Sequence, residues 1–542
     1  TDSAGLRTER TFTIQLADVN DAPDGVALTT NTIDENAANN SGHFLHFLAF
    51  ETEGLRVGFR RGGKDVIISP FVEAMDKKFA KAYPFEFPGM RSETEPFDEV
   101  FVETEGRRKL VAFVGLDLTS SPIEAKLPAI AQPEPIDIGN ETRSCVALST
   151  RRPVECESIL PPQSRLRFSF GQPSRFHLKG ENKPTVLLTI TGAKGNVETH
   201  EFEIERAGSR KTRWEEADVD LAAFAGFRTS FRFELKTETE QVGVAALGSP
   251  TVFAAGSNQP TVLLVTSDTH RFDFLGSTIE GAELRTPTLD KLAEEGIFFE
   301  DAFTATNVTN PSHIALMTAT HPRDTVIVNN NTRLADTAPT LAEAFREAGY
   351  VTYASVCANH LAHPTSGLGQ GFDRFAFPKS AFYDAADAVD RLEPWMADAE
   401  GLPLFVWLHV FDAHEPYEPP APFHRHYYDR ENAGEDGPFE ESRPPINLPN
   451  DADPDTVFPP SLHGLRDLSY PLAQYRAEIT YLDQELGRVF GWPRFEEALI
   501  AVTADHGESF GEHGVYYDHA GAFPVNIHVP LILKAPGLPV GM

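Results

Sequence analysis

The chain has 542 residues, too many for a single hydrophobic core, so we expect about three or four domains. It carries 80 acidic and 47 basic residues, a formal net charge of −33. That charge argues against binding to nucleic acid and fits a protein that is extracellular, on a cell surface or periplasmic. No apolar run reaches the roughly 18 residues that a membrane span needs. Because the first residue is Thr1 rather than Met, we expect a piece of a longer protein.

The first 50 residues alternate apolar and polar side chains and contain closely spaced oxygen donors. Asp18, Asn20 and Asp21 lie in one turn, and Glu35 follows a second strand-like segment. Hard oxygen ligands at such spacing suit Ca²⁺. The segment resembles the junction between two cadherin-type repeats, which implies additional calcium ions at these four residues. An ordinary turn rich in Asp and Asn is the alternative.

Two further β-rich regions follow. Residues 51–135 mix charged and aromatic side chains without a steady period, and we predict mixed β structure followed by a linker rich in Pro and Ala. Residues 136–256 alternate apolar and polar residues between turns, which predicts a β-sandwich of the jelly-roll type. The pattern resembles the carbohydrate-binding-like modules of extracellular hydrolases. Trp214 is a candidate sugar platform, although a core aromatic is the more common role.

From residue 260 to residue 542 the pattern changes, because apolar runs now alternate with helix-compatible segments. This predicts α/β layering. In open α/β sheets the chemistry gathers beyond the carboxyl ends of the strands, and polar clusters occur there in this sequence. The predicted strands are residues 261–267, 351–356, 404–408, 498–503 and 529–533, and the predicted helices are residues 288–295, 339–347 and 474–490.

The segment 307–313, Asn-Val-Thr-Asn-Pro-Ser-His, predicts a hydroxyl group at the start of a helix. Pro311 suits the first helical position, and the residues after it are apolar and helix-compatible. A nucleophile just before it faces unpaired backbone N–H groups and the positive end of the helix dipole. Both stabilise an alkoxide and the oxyanion of an ester under attack.

Residues that suit a metal ion follow two of the predicted strands. Asp268 directly follows the first strand of this region, and Asp505 and His506 follow a later one. Two carboxylates and an imidazole that converge on one point are metal ligands by type. An aspartate after a strand is often only a helix cap, but the Asp-His-Gly-Glu run at 505–508 favours a metal site.

Three further histidines are candidates for work on a substrate. His409 and His414 lie at the end of the strand predicted at 404–408. An imidazole near a leaving group can supply the proton that the group needs, and we assign that role to His414 and a structural role to His409. His519 lies shortly before the last predicted strand, where it either binds an anionic oxygen of the substrate or caps a loop.

The order and spacing of these clusters resemble the sulfatase branch of the alkaline-phosphatase superfamily. The resemblance implies a mixed sheet flanked by helices, with one divalent metal ion held by Asp268, Asp505 and His506 beside the nucleophile. Calcium is the default metal of this family, and manganese and zinc are the alternatives. The matching stretches are residues 266–276, 286–292, 309–313, 411–417, 504–508 and 528–531.

The resemblance also implies roles for individual residues in the reaction. Thr309 falls at the position of the nucleophile, and His414 falls at the position of the acid that protonates the leaving group. His519 falls where many sulfatases place a sulfate-binding lysine. Asn359 or His360 stands near the other substrate-binding position.

Thr309 departs from the usual sulfatase pattern, in which a Cys or Ser is oxidised to formylglycine. Oxidation of a threonine gives a ketone, so formylglycine is excluded at this position. A threonine ester must instead be hydrolysed by a second displacement, which phosphorus tolerates well and sulfur poorly. His313 also replaces the usual arginine of the signature. Family members normally continue beyond the position of Met542, so we expect a truncated catalytic domain.

The sequence thus predicts β-rich modules, a cadherin-like fragment and a jelly-roll sandwich, in front of an α/β domain of the sulfatase type. We predict a metal-dependent hydrolase of sulfate or phosphate esters with a Thr nucleophile. Its anionic ester substrate is free or carried on a glycan, and the sequence does not specify an oligomeric state. The alternatives are a transferase of phosphoryl-linked groups and an adhesive protein whose sulfatase-like domain is inactive.

Overall fold

A computed structural model of the protein describes residues 134–150, 153–162, 164–172, 184–205, 213–237, 244–254, 259–276, 284–378, 382–428, 438–441 and 443–541. Before residue 118 it describes the backbone of the strands β1 (Phe12–Leu16), β2 (Val26–Leu28), β3 (His43–Phe50), β4 (Gly54–Arg61), β5 (Lys64–Ile68), β6 (Val72–Glu73), β7 (Lys81–Phe85), β8 (Glu99–Glu105) and β9 (Leu110–Asp117). One sheet has the order β2-β1-β8-β4-β5, with β6 beside β4, and a second has the order β7-β3-β9. The N-terminal region is therefore rich in β structure.

The predicted calcium ligands Asp18, Asn20, Asp21 and Glu35 lie outside the described residues. The cadherin-like junction and its calcium ions therefore stay predictions. The same holds for nearly all of the linker predicted before residue 135.

Residues 134–254 fold as two antiparallel sheets that face each other across a core. The strands are β10 (Glu134–Ile138), β11 (Glu141–Ser149), β12 (Val154–Ile159), β13 (Ser164–Gly171), β14 (Thr185–Gly192), β15 (Val197–Glu203), β16 (Glu215–Asp220), β17 (Arg228–Lys236) and β18 (Val244–Ala254). One sheet has the order β16-β13-β18-β11, with β10 beside β11, and the other has the order β12-β17-β14-β15. Phe168 of β13 meets Phe233 of β17 edge to face, with ring centroids 5.2 Å apart. The alternation of apolar residues thus forms a sandwich, and its jelly-roll identity stays a prediction.

Trp214 is a core residue of this module, which is the role that the sequence analysis preferred over a sugar platform. Its side chain is only 8% exposed, and its indole N–H donates to the backbone carbonyl of Glu141 at 3.1 Å. The guanidinium group of Arg143 lies over the ring, 5.0 Å from its centroid. Because protein groups already cover the ring, a sugar has no open face to stack on.

The C-terminal half contains nine strands and nine α-helices among its described residues. The strands are β19 (Val262–Ser267), β20 (Ile297–Phe298), β21 (Val351–Ser355), β22 (Arg374–Ala376), β23 (Leu404–Val410), β24 (Leu499–Ala504), β25 (Ser509–Phe510), β26 (Tyr516–Asp518) and β27 (Leu531–Lys534). The helices are α1 (Pro287–Glu294), α2 (Thr309–Thr318), α3 (Pro322–Thr325), α4 (Leu341–Glu347), α5 (His363–Ser366), α6 (Ala385–Asp398), α7 (Pro454–Val457), α8 (Ser469–Phe490) and α9 (Pro524–Ile527).

The central sheet of this half is mixed. β22, β21, β23, β19 and β24 are parallel neighbours in that order, and β27 and β20 extend the sheet with antiparallel pairs. Every residue of β23 is buried, as expected for the central strand of a covered sheet. Apolar side chains of α1, α6 and α8 join those of the strands in one core. The small hairpin of β25 and β26 lies outside this sheet.

The sandwich and the α/β half share one continuous sheet. β11 of the sandwich pairs with β22 in antiparallel register, Glu141 opposite Ala376 and Thr142 opposite Phe375. The twelve described strands of this sheet therefore run from β16 of the sandwich to β20. The composition break at residues 256–260 predicts two separate units, and the sequence gives no sign of this pairing.

The predicted elements of the α/β half lie within a few residues of those observed, except at helix α2. That helix begins at Thr309, so Pro311 occupies its third position and not the first as predicted. Thr309 is consequently part of the first turn. Among the described residues, no helix is long and apolar enough to cross a membrane.

Candidate active site

The two predicted carboxylate ligands emerge side by side from neighbouring strands. In the parallel register of β19 and β24, Ser267 pairs with Ala504, so the next residues along each strand are Asp268 and Asp505. One potential ligand atom each from Asp268, Asp505 and His506 lies within 4.8 Å of the other two, and all three residues are buried. The structure thus brings the three predicted metal ligands together.

The hydrogen bonds of this cluster leave two acceptor atoms for a cation. Asp268 Oδ1 and Asp505 Oδ2 are buried and have no hydrogen-bond partner in the described part of the chain. Asp505 Oδ1 accepts from the backbone N–H groups of Thr269 (3.2 Å) and His506 (2.8 Å). Burial, and then the negative charge of Asp268, raise the pKa of Asp505 well above its ordinary value. Two buried carboxylates with unpartnered oxygens suit a hard divalent cation, so these residues fit the predicted metal ion.

His506 has the tautomer that a metal ligand needs. Its Nδ1–H donates to the carbonyl of Gly507 at 3.0 Å, so Nε2 keeps its lone pair, and burial lowers the pKa of the ring well below its ordinary value. Nε2 lies 3.3 Å from Asp505 Oδ2 and 3.8 Å from Asp268 Oδ1. A Cβ atom on Gly507 would lie 2.1 Å from the carbonyl oxygen of Val525, so a glycine is required directly after the ligand.

His409 orients the first carboxylate. The backbone N–H of Cys357 donates to His409 Nδ1 at 3.2 Å, so His409 Nε2–H donates to Asp268 Oδ2 at 3.3 Å. Both side chains are fully buried. This pair of hydrogen bonds occupies Oδ2 of Asp268 and leaves Oδ1 as its unpartnered oxygen. His409 therefore has the supporting position that the sequence analysis assigned to it.

Thr309 lies beside the metal cluster, at the beginning of α2. It is 1% exposed, and its Oγ1 is 3.2 Å from His506 Nε2. The N–H of Asn310 is already occupied, because it donates to Asn330 Oδ1 at 2.9 Å, and Pro311 has no N–H. The row of free N–H groups that we predicted is therefore shorter than expected, and the dipole of α2 is the main contribution of the helix.

A relay of hydrogen bonds fixes the backbone of Thr309. Trp407 Nε1–H donates to Thr266 Oγ1 at 2.9 Å, and Thr266 donates to His313 Nε2 at 3.0 Å. His313 Nδ1–H then donates to the carbonyl of Thr309 at 2.8 Å. Burial lowers the pKa of His313 to about 3, so its ring is a neutral link in the relay. Sequence analysis gave His313 no role, although its position four residues after Thr309 places it one turn along the helix.

His414 and His519 lie next to the cluster and are half-buried. The ring centroid of His519 is 4.2 Å from that of His506 and 5.8 Å from that of His414. His414 Nδ1–H donates to the carbonyl of Glu415, and His519 Nδ1–H donates to the carbonyl of Asn307, each at 2.7 Å. In both rings this hydrogen bond engages Nδ1, so Nε2 remains available for other contacts. The structure therefore brings both predicted substrate-facing histidines to the site.

The two alternatives for the remaining substrate position differ in their partners. Asn359 Nδ2–H donates to the carbonyl of Pro378 at 3.0 Å, so its amide is committed to the loop. His360 Nε2 is buried and has no hydrogen-bond partner among the described residues. Burial lowers the pKa of His360 to about 4, and the charge of Asp268 acts in the opposite direction. His360 is therefore the better candidate of the two.

Sequence analysis did not single out two residues of this site. Thr269 is fully buried with φ = 53°, an unusual conformation for a residue with a branched Cβ, and its Oγ1 has no described partner. Glu508 Oε2 accepts from Tyr417 Oη at 3.1 Å, whereas its Oε1 also has no described partner. Burial raises the pKa of Glu508 well above its ordinary value. The only sequence signal for each was its position, because Thr269 directly follows Asp268 and Glu508 lies two residues after His506.

Comparison with known proteins decides the family. The sulfatase family model matches residues 260–540, which are 281 of the 542 residues. The chain belongs to the sulfatase family. The match contains the metal ligands and reacting residues predicted for the α/β domain, and the β-rich residues before 260 lie outside it.

Individual sulfatase-family relatives are distant. Human iduronate 2-sulfatase is 26% identical over 350 residues, which cover 54% of this chain and 62% of that enzyme. PehA of Trinickia caryophylli, a multifunctional alkaline phosphatase superfamily protein, is 25% identical over 365 residues, 51% of this chain and 68% of PehA. The crystal structure of a phosphonate monoester hydrolase of Agrobacterium radiobacter matches with a TM-score of 0.40 at 21% identity, over 52% of this chain and 68% of that one. The chain thus spans about 62% of the length of the human relative.

Proposed function

We propose that this sulfatase-family chain is a metal-dependent hydrolase of sulfate or phosphate esters with Thr309 as its nucleophile. The observation that carries the proposal is the 3.2 Å distance between Thr309 Oγ1 and His506 Nε2, because it places a hydroxyl beside a metal-binding atom. A divalent ion held by Asp268, Asp505 and His506 would lower the pKa of that hydroxyl and neutralise the anionic oxygens of the substrate.

In the first step the Thr309 hydroxyl loses its proton to solvent, and its Oγ attacks sulfur or phosphorus in line with the alcohol oxygen of the ester. The new bond from Oγ forms as the bond to the alcohol oxygen breaks, and His414 donates a proton to the departing alcohol. His519 binds a non-bridging oxygen of the ester. The dipole of α2 adds stabilisation, since its positive end lies at Thr309.

In the second step water attacks the threonyl ester, and His414, which lost its proton in the first step, accepts a proton from that water. The bond between sulfur or phosphorus and Thr309 Oγ breaks, and Oγ takes a proton from solvent, which restores the hydroxyl. Phosphorus accepts a second displacement more readily than sulfur does. The threonine therefore favours phosphate esters, and sulfate esters are the family's own precedent.

Calcium is the metal that we propose, in line with the carboxylate oxygens of the cluster. Manganese and zinc are the alternatives, because an imidazole ligand suits both of them. We further propose an extracellular, cell-surface or periplasmic location, supported by the net charge of −33, and a glycan as one carrier of the ester. The oxygen donors of the cadherin-like segment would hold calcium in such a compartment.

The experiment that tests the proposal compares the turnover of aryl sulfate, aryl phosphate and aryl phosphodiester substrates by protein loaded with Ca²⁺, Mn²⁺ or Zn²⁺. Thr309→Ala and Thr309→Ser are measured alongside the parent protein. We expect Thr309→Ala to lose at least about a thousandfold in kcat with its metal content unchanged, and Thr309→Ser to keep part of the activity. Mass spectrometry of protein quenched during turnover should find the phosphoryl or sulfuryl group on Thr309.

Two results would overturn the proposal. Full activity of metal-loaded Thr309→Ala would show that Thr309 is not the nucleophile. An absence of turnover with every metal and ester would favour a non-catalytic adhesive protein. Turnover that appears only with an added alcohol acceptor would favour the transferase. Rapid sulfate turnover that depends on Thr309 would retain the nucleophile and reverse our preference for phosphorus.

A further inference from the structure

A cavity of about 290 Å³ adjoins the proposed leaving-group acid. His414 lines it, together with a group of acidic residues and aromatic rings. Asp412 and Glu478 are buried, so they form its inner end, whereas Asp384, Asp387 and Glu418 are exposed at its mouth. The carboxylates come from separate elements, since Glu478 belongs to α8 and the aspartates flank β23 or begin α6.

No cation of the described residues pairs with the two inner carboxyl groups, Asp412 and Glu478. Asp412 is 8% exposed; its Oδ1 accepts from the backbone N–H of Ala385 at 3.0 Å, and its Oδ2 is buried with no described hydrogen-bond partner. Glu478 is 4% exposed. Burial, and then the negative charge of Asp412, raise the pKa of Glu478 to about 10. A buried oxygen without a partner, close to further carboxylates, is the situation that a bound cation relieves.

A positive charge in the neighbourhood does not fill this role. The guanidinium group of Arg391 lies over the ring of Tyr383, 4.2 Å from its centroid, and that ring is itself part of the cavity wall. Arg391 acts on Asp387 at the mouth, where its charge opposes the rise that burial causes in the pKa of that carboxyl, and among the described residues it has no such effect on Asp412 or Glu478. The inner end of the cavity therefore holds two carboxyl groups that no cation of the described residues pairs with.

The walls favour an organic cation over a bare metal ion. Phe382, Tyr383 and Phe411 line the cavity, and the ring of Phe411 stacks on Phe382 (5.5 Å between centroids) and on His414 (4.4 Å). Arg391 already lies over Tyr383, and Phe411 stacks on both Phe382 and His414, so these rings form an apolar wall for an alkylammonium group, which keeps little water of its own. Among the described residues, the metal cluster of the active site is the one set of acidic and histidine side chains with three ligand atoms within 4.8 Å. No three described carboxylates of this cavity therefore offer ligand atoms that close together.

We infer that this cavity binds an organic ammonium group carried by the alcohol portion of the substrate. The substrates are then sulfate or phosphate esters of amino alcohols, with the ester group at the metal cluster and the cationic nitrogen between the aromatic rings and Asp412. His414 lies between the two regions, because it both lines the cavity and neighbours His519. The inference rests on the proposed function for the ester and on the cavity alone for the cation.

Binding is measured first, because it does not depend on turnover. Titration calorimetry of the metal-loaded protein compares choline with 3,3-dimethylbutanol, which has the same shape and no charge. We expect choline to bind at least about tenfold more tightly. Asp412→Asn and Glu478→Gln should each remove most of this preference, since the amides keep the shape and hydrogen-bonding oxygen but not the charge. Glu347→Gln removes an exposed carboxylate on α4 and should leave the preference unchanged.

Turnover is then compared for the choline ester and the 3,3-dimethylbutyl ester of whichever acid the protein hydrolyses. The preference in kcat/KM should follow the binding preference and fall in the same variants. Equal binding of the two alcohols, or an undiminished preference in folded Asp412→Asn and Glu478→Gln, would overturn the inference. If these buried variants do not fold, Asp384→Asn combined with Glu418→Gln at the mouth decides in the same way. Choline binding without any ester hydrolysis would overturn the proposed function and the assignment of the cation to a substrate, and would leave only the cation site of the cavity.

Discussion

At the junction between the sandwich and the α/β half, the buried cations Arg143 and Arg374 both contact Glu216. In the metal cluster, the buried anions Asp268 and Asp505 lie side by side, and each keeps one oxygen without a described partner. The two arginines and the two aspartates have similar burial, since each of these four side chains is at most 6% exposed, whereas the shared Glu216 is partly exposed. The two regions differ in whether the protein supplies the opposite charge.

The junction shows what a completed cluster of buried charge looks like in this molecule. Arg374 pairs with Glu216 at 3.0 Å and Asp398 at 2.8 Å, and its guanidinium group lies over the rings of Tyr353 and Trp395. Each of these charges has a partner from the chain, so the cluster needs no bound ligand to neutralise it. Against that standard, the unpartnered oxygens of the metal cluster indicate that its partner is a bound ligand.

The largest expected effect comes from Asp505→Asn. We expect activity to fall by more than about a thousandfold and metal content to fall with it, because a carboxylate ligand is lost. In chelator, however, we expect this variant to gain about 1–3 kcal/mol in the free energy of unfolding over the parent protein, and so to melt at a higher temperature, because it removes a buried carboxyl group that no cation of the chain compensates. The asparagine oxygen can still accept from the backbone N–H groups of Thr269 and His506.

Calorimetry with and without chelator, together with metal analysis, checks this prediction, and Glu347→Gln serves as the surface control. A lower melting temperature of Asp505→Asn in chelator would mean that the chain itself stabilises that carboxylate. The metal cluster would then not differ from the junction in whether the chain itself compensates its buried charge.

The second prediction tests whether His414 acts on the leaving group and is not itself a metal ligand. His414→Ala should lower kcat by about 10²–10⁴-fold for esters of alkyl alcohols and much less for nitrophenyl esters, which need no proton on the leaving group. Its metal content should equal that of the parent, because His414 lies beside the cluster and supplies no ligand. The slope of log kcat against the pKa of the leaving alcohol is the measurement, and an unchanged slope would contradict the assigned role.

These residues also show which parts of the site a sequence can reveal. Asp268 and Asp505 were predictable, because each ends an apolar strand and parallel strands bring such ends together. The left-handed backbone of Thr269 and the capping of Asn310 by Asn330 were not, since both depend on the path of distant loops. The pairing of β11 with β22 joins segments more than 200 residues apart, and no local pattern encodes it.

The third effect tests the completed cluster. Arg374→Met keeps much of the side-chain length and removes the charge, which leaves Glu216 and Asp398 without their shared cation. We expect a loss of about 3 kcal/mol in the free energy of unfolding, with little change in kcat of the folded protein. Urea denaturation followed by circular dichroism measures the loss. A stable variant with lowered activity would instead place the junction in communication with the site.

The smallest effect comes from a cation with as many acidic neighbours but little burial. Arg488 contacts Asp390 at 2.6 Å and Glu485 at 2.5 Å, and Glu393 lies 3.7 Å away, yet its side chain is 39% exposed. Water screens these pairs, so Arg488→Met should cost less than about 1 kcal/mol, and added salt should reduce that cost further. The same urea experiment at low and high salt compares it with Arg374→Met. If the two substitutions cost the same, the number of acidic neighbours matters more than burial, and the unpartnered oxygens of Asp268 and Asp505 lose their value as a mark of a bound ion. If Arg374→Met costs several times more free energy of unfolding than Arg488→Met, burial decides the energy of a charge in this protein. A buried charge without a partner then identifies a ligand site.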